Sequence, residues 1–183
     1  MLPQEIDYGK LKYVIMNKIS FFVISLMIIL SACKDDELML QRTPYIGNEL
    51  RIDGYYYEQA YNCTSVKFLY RNGVLLVAGG YLSYNIDSVE KQLLNSYEKI
   101  KHSKISWGVF VIKGSTIEYS FWDTSVGGGL PTYKSIGYIE NDTTFCITRT
   151  INKEGSIFKR NDVYHFKQFS PKPDSTGAYQ WIK

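Results

Sequence analysis

The residue types able to carry out chemistry are sparse and scattered along this chain of 183 residues. His102 and His165 are its two histidines. Neither has neighbours at the spacing a zinc site needs, so no metal or other cofactor is expected. There is no Gly-x-Ser-x-Gly elbow and no plausible Cys–His pair, so a nucleophilic hydrolase would lack its parts. Glu118, Asp123 and Glu140 could supply the two carboxyl groups of a glycosidase, roughly 5–9.5 Å apart across a cleft. Any surface sheet carries such residues, and they do not make an enzyme. Gly127-Gly128-Gly129 lacks the Gly-Lys-Ser/Thr ending and the following helix of a phosphate cradle, and reads as a mobile loop between strands. The expectation is a non-enzymatic protein.

Cys33 is different, because what precedes it is ordered by chemistry. Lys18 follows Met16, Ile19 to Leu30 carry no charge, and Ser31-Ala32 lead into the cysteine. Those are the basic and apolar parts of a secretory signal over residues 1–32. The run is too short for a spanning helix, which takes about 20 apolar residues, and it shows no polar face at helical period. An uncleaved anchor is the alternative. Residues 1–15 put Glu5 and Asp7 ahead of a region that should be basic, so translation is expected to start at Met16.

Leu30-Ser31-Ala32-Cys33 resembles the lipobox of bacterial lipoproteins. The resemblance implies that the thiol receives a diacylglycerol, that the chain is cut just before Cys33, and that the new amino group is acylated, commonly with palmitate. Several acyl chains, each burying CH₂ groups at about 0.8 kcal/mol, give lasting attachment. The implied location is the cell outer membrane, with the membrane itself as partner. Lys34-Asp35-Asp36-Glu37 resembles the signal that sends lipoproteins of some Gram-negative bacteria to the cell surface; the other reading is a plain solvated linker.

Composition bounds the rest. Residues 33–183 suffice for one domain with a real core. Residues 1–32 carry three lysines and two carboxylates, so removing them lowers the net charge of +3 by one unit. No basic block remains, which argues against a nucleic-acid partner. Cys63 and Cys146 would be left after lipidation, and buried free thiols are favoured over a disulfide. The 16 Tyr, 9 Phe and 3 Trp favour strands over helices.

Polar residues 33–48, with Pro44 and Gly47, read as a lipidated tether, and residues 49–183 as the domain. Period-2 runs dominate the domain. Leu50, Ile52 and Tyr56 alternate with Arg51, Asp53 and Tyr57; Val66, Phe68 and Tyr70 alternate with Lys67 and Arg71. Asn72-Gly73 then predicts a type I′ hairpin returning through Val74–Ala78. Val89, Leu93, Tyr97 and Ile100 predict a helix over 87–101, with Asp87 as N-cap and Glu90 as its capping-box partner. Strands follow at 104–113, 116–123, 132–140, 143–150, 156–160, 163–169 and 179–183. Asn141-Asp142 and Asn161-Asp162 serve as turns. Both faces of 104–113 are apolar, so that strand should be covered on both sides.

The expected fold is mainly β, an antiparallel barrel or half-barrel of about nine strands with one helix, with a sandwich as runner-up. Trp107-Gly108-Val109-Phe110, Ile117-Glu118-Tyr119, Gly137-Tyr138-Ile139 and Thr144-Phe145-Cys146-Ile147 look like the meander of lipocalin-like barrels. They are similar to surface lipoproteins, themselves uncharacterised, that carry such domains. Gly54-Tyr55-Tyr56 stands where lipocalins have Gly-x-Trp. Tyr55, Tyr56, Tyr57 and Tyr61, with Trp107 and Trp122, could line a barrel mouth and stack on a glycan or small hydrophobic ligand; otherwise they fill the barrel and its rim. A protein-interaction or accessory role in an outer-membrane complex is the alternative function.

Overall fold

The computed structural model describes residues 35–124 and 129–183. The signal segment, Cys33, Gly127 and Gly128 lie outside the described residues. Eight antiparallel strands close into a barrel in simple chain order. They are β1 (Gly54–Ala60), β2 (Cys63–Leu69), β3 (Val74–Tyr81), β4 (Trp107–Lys113), β5 (Thr116–Trp122), β6 (Thr132–Asn141), β7 (Thr144–Asn152) and β8 (Ile157–Gln168). One helix, α1 (Ile86–Lys101), lies between β3 and β4.

Among the described residues the count is therefore eight strands, not nine. The segments at 156–160 and 163–169 are one strand, β8, whose pairing with β7 shifts register opposite Ile147 and Arg149. That irregularity absorbs Asn161-Asp162, which make no turn. The expected last strand is replaced by a 3₁₀ turn at Thr176–Gln180. Helix α1 is capped by Asn85, whose side chain accepts from the Ser88 amide at 3.0 Å, rather than by Asp87. Glu90, freed from any capping box, accepts from the Tyr55 hydroxyl at 2.8 Å.

Turn chemistry also departs from expectation. The two-residue turn with positive φ at both positions is Tyr61-Asn62 (φ 50° and 60°), joining β1 to β2. At Asn72-Gly73 only Gly73 is left-handed (φ 81°), and the Gly73 amide donates back to Tyr70. This is the longer hairpin that ends on a left-handed glycine. A Cβ there would lie 2.1 Å from the Thr43 carbonyl oxygen, because the N-terminal segment crosses over this turn.

Strand alternation sorts the apolar residues into two clusters. Tyr56, Leu69, Leu75, Phe110, Ile117, Phe145 and Ile147 point into the barrel, together with Tyr45 and Leu50. Tyr55, Phe68, Leu76, Trp107 and Val109 point outward and are covered by Val89 and Leu93 of α1 and by Ala178 and Ile182. The outer wall of β1 to β4 is thus buried as the barrel's apolar interior is, which explains the two apolar faces of β4. Burying each such side chain contributes about 1.5–3 kcal/mol.

The segment expected to be a solvated tether is fastened to the barrel from Asp36 onward. The Asp36 amide donates to the Leu130 carbonyl at 3.0 Å, and the Thr132 hydroxyl donates to the Glu37 carbonyl at 3.1 Å. Lys153 pairs with the Asp36 carboxylate at 2.6 Å. Further on, the Met39 amide reaches the Ser120 hydroxyl and the Tyr45 amide reaches the Arg71 carbonyl. This strap runs from the end of the barrel holding the β5–β6 and β7–β8 connections (the mouth) to the end holding the β2–β3 and β6–β7 turns (the base). Tyr45 and Leu50 close the base.

Candidate functional site

Only the base half of the barrel interior is packed with apolar side chains. Toward the mouth lies a cavity of about 380 Å³, within the size range of small-molecule sites. Phe121 and Tyr133 stack on one wall with ring centroids 6.0 Å apart, and Phe158 faces the same space. Tyr119, Ser135, Thr150 and Tyr164 supply hydroxyls, the Ser135 and Thr150 oxygens lying 3.0 Å apart. Asp123, Arg160 and Asp162 complete the lining nearer the mouth.

Lys67 forms the deep wall. The outward alternation of Val66 and Phe68 turns it inward, and it is only 6% exposed. Its ammonium donates to the Tyr164 hydroxyl at 2.7 Å and to the Ser65 hydroxyl at 3.1 Å. It also lies 4.4 Å from the centre of the Tyr164 ring and 5.6 Å from that of Tyr119, within cation–π range. Burial pushes the hydroxyls of Tyr119 and Tyr164 well above the usual phenol range, so both remain protonated donors near neutral pH.

A second opening lies along the β1–β8 seam. β8 pairs with β1 only from Tyr57↔His165 to Gly54↔Gln168, so its first half has a neighbour on one side alone. Tyr57, Glu58, Gln59, Asn161, Val163 and His165 line a cleft of about 370 Å³ there. Desolvation pushes the Glu58 carboxyl upward, with the Asp162 charge adding to it and the Lys67 charge opposing it.

The residues proposed from sequence sit elsewhere, and mostly hold the frame. Tyr55 is buried under α1 on Glu90. Tyr56 lies inside the base half, its hydroxyl donating to the Arg51 and Asp142 carbonyls. The Trp107 indole donates to the Lys101 carbonyl at 2.8 Å and closes the end of α1. The Trp122 indole donates to the Asp36 carbonyl and fixes the strap. Tyr57 alone lines an opening, the seam cleft, where its ring meets His165. None of these five lines the mouth cavity.

The carboxylates considered for a glycosidase are not brought together. Asp123 is at the cavity rim, Glu118 is on the outer face of β5 near Lys134, and Glu140 is exposed toward the base. His102 caps α1 and His165 faces Tyr57. Among the described residues no group of His, Cys, Asp and Glu could hold a metal, and Cys63 and Cys146 are free thiols. No described helix is long and apolar enough to cross a membrane.

The cavity's determinants come from β2, β5, β6, β7 and β8, so no local motif announces them. The one available signal was Lys67 between Val66 and Phe68: once the outer wall is known to be covered, the opposite face must be the barrel interior. Compared with protein-family models, curated proteins and solved structures, the chain matches none.

Proposed function

We propose that this chain is a lipid-anchored lipoprotein of the bacterial outer membrane, acylated on Cys33, whose barrel binds a small ligand without catalysing a reaction. The observation that carries the binding half is the cavity behind Phe121, Tyr133 and Phe158, enclosed by strands on a base that Tyr45 and Leu50 keep shut. Aromatic faces beside hydroxyls suit a ligand with both apolar and polar parts, a description that covers glycans and small amphiphiles. The anchoring half rests on Leu30-Ser31-Ala32-Cys33 and the signal-like run before it.

Anchoring is tested by metabolic labelling. Labelled palmitate enters the wild-type protein and is absent from Cys33→Ala, which leaves the membrane fraction; a labelled, membrane-bound mutant overturns the anchor. Binding is tested by titrating glycans and fatty acids against the full chain with Tyr133→Ala as control.

A second reading, an accessory subunit of an envelope complex, is favoured by the apolar side chains Tyr61 and Leu82, exposed at 98% and 87% near the mouth. Under that reading the protein co-purifies stoichiometrically with a partner, and Tyr61→Ser with Leu82→Ser releases it.

A further inference from the structure

We infer that the mouth cavity takes a small molecule bearing a single carboxylate, its charged end held against Lys67 and its flat apolar body against Phe121 and Tyr133. The inference rests on the ligand-binding reading above and adds the chemical class of the ligand.

Lys67 carries its ammonium into the barrel with no carboxylate of the described residues in contact. An ammonium removed from water is costly unless it is paired. The partners of Lys67 are two hydroxyls and two rings, all neutral. No carboxylate of the described residues comes within 4.0 Å of it; the acidic residues with ion pairs engage other bases. Glu58 and Asp162 lie beyond contact distance, toward the seam and the mouth, with Glu58 near enough for the Lys67 charge to act on its carboxyl. Two of the three ammonium protons have acceptors, so one donor is left for the cavity.

The surroundings then select among anions. A carboxylate has about four lone-pair sites; the ammonium offers its remaining proton, and the Ser135–Thr150 pair, bonded to each other at 3.0 Å, has at most one further hydroxyl proton to give. A phosphate dianion would bring a second negative charge toward Asp162 and Glu58 with no Arg fork at the deep wall to meet it. Arg160 is exposed at the rim. A neutral sugar would leave the buried charge as it is. The stacked Phe121–Tyr133 pair supplies the apolar surface on which the rest of the ligand lies.

The test uses the full chain in phosphatidylcholine nanodiscs and two probes of nearly the same shape, 2-naphthoate and 2-naphthamide, followed by calorimetric titration. Naphthoate binds about tenfold or more tightly than naphthamide, the scale of one charge-assisted hydrogen bond. Lys67→Gln abolishes that preference, bringing naphthoate affinity down to that of naphthamide. Equal affinity of the two probes for wild type overturns the carboxylate and leaves a ligand cavity standing. Failure of both probes to bind at millimolar concentration overturns the cavity reading together with it. Because the comparison between probes is made on the wild-type protein, it decides the matter even if Lys67→Gln does not fold. A preference that survives Lys67→Gln also overturns the assignment.

Discussion

The Lys67 ammonium and the Tyr164 hydroxyl meet at 2.7 Å inside the barrel, joining residues 97 apart in sequence. No carboxylate of the described residues contacts either group, although the Glu58 charge acts on the ammonium from farther off. A side chain kept for packing alone would be expected to be apolar at this position, since a buried charge without a counter-ion costs stability. Lys67→Met should therefore unfold at the same or a higher denaturant midpoint than wild type, by up to about 2 kcal/mol, with m unchanged. Tyr164→Phe should go the other way, losing about 1–3 kcal/mol, because it strips the buried ammonium of its shortest hydrogen bond. Equilibrium urea unfolding of both variants measures the pair, and a large loss in Lys67→Met would instead make Lys67 a structural residue.

Trp122→Phe keeps most of the buried ring and removes the indole donor to the Asp36 carbonyl, a bond of 2.7 Å. The expected loss is about 1 kcal/mol. Its local signature is sharper than its global one. Hydrogen exchange at the Asp36 and Met39 amides, both bonded to the barrel, should accelerate while the amides of β7 keep their protection.

Leu93 is buried between α1 and the outer wall. Leu93→Ala should cost about 2–5 kcal/mol, the range for deleting a packed leucine. Leu94, the next residue, is exposed, and Leu94→Ala should fall within about 0.5 kcal/mol of wild type. Thermal unfolding followed by circular dichroism distinguishes the two.

Stability should respond to alkaline pH in two opposed phases. Lys172 is buried over the Tyr70 ring and donates to the Ile52 and Leu69 carbonyls; desolvation pushes it down to about 8 from 10.5. Between those values the unfolded chain binds the extra proton, so this group makes stability rise with pH. Tyr56, Tyr119 and Tyr164 are pushed upward from 10.0, chiefly by desolvation. Above about 10 the unfolded chain releases those protons while the folded one keeps them, so stability falls. Denaturant midpoints measured from pH 7 to 11 should pass through a maximum, and Lys172→Met should flatten the rising limb without moving the falling one.

Much of the frame was legible because a half-buried strand has a period of two and a helix a period near four. Val89 and Leu93 gave the helix, and the two apolar faces of Trp107 to Ile112 gave a strand with cover on both sides. What misled was chemistry with more than one meaning. Asn161-Asp162 make a good turn in isolation, yet a register shift lets them stay in strand. Tyr179 to Lys183 alternate like a strand but lie in a 3₁₀ turn and the residues after it, with Ala178 and Ile182 packed on the outer wall. The candidate site was less legible still. Aromatic residues are conspicuous in a sequence, and Tyr55, Trp107 and Trp122 drew attention although their polar tips are satisfied by the frame. Lys67 looked like the polar partner in an ordinary alternating strand. Only closure of the sheet turns that face inward.

The strap carries a consequence for the proposed lipid anchor. Asp36 is pinned beside the rim of the barrel, and three peptide units separate it from Cys33, at most about 11 Å of extended chain. If Cys33 carries acyl chains, the barrel cannot stand off on a long leash. Under that condition its opening would be moored within a headgroup's depth of the bilayer, and a solute drawn from that layer would reach Phe121 and Lys67 with little passage through open water.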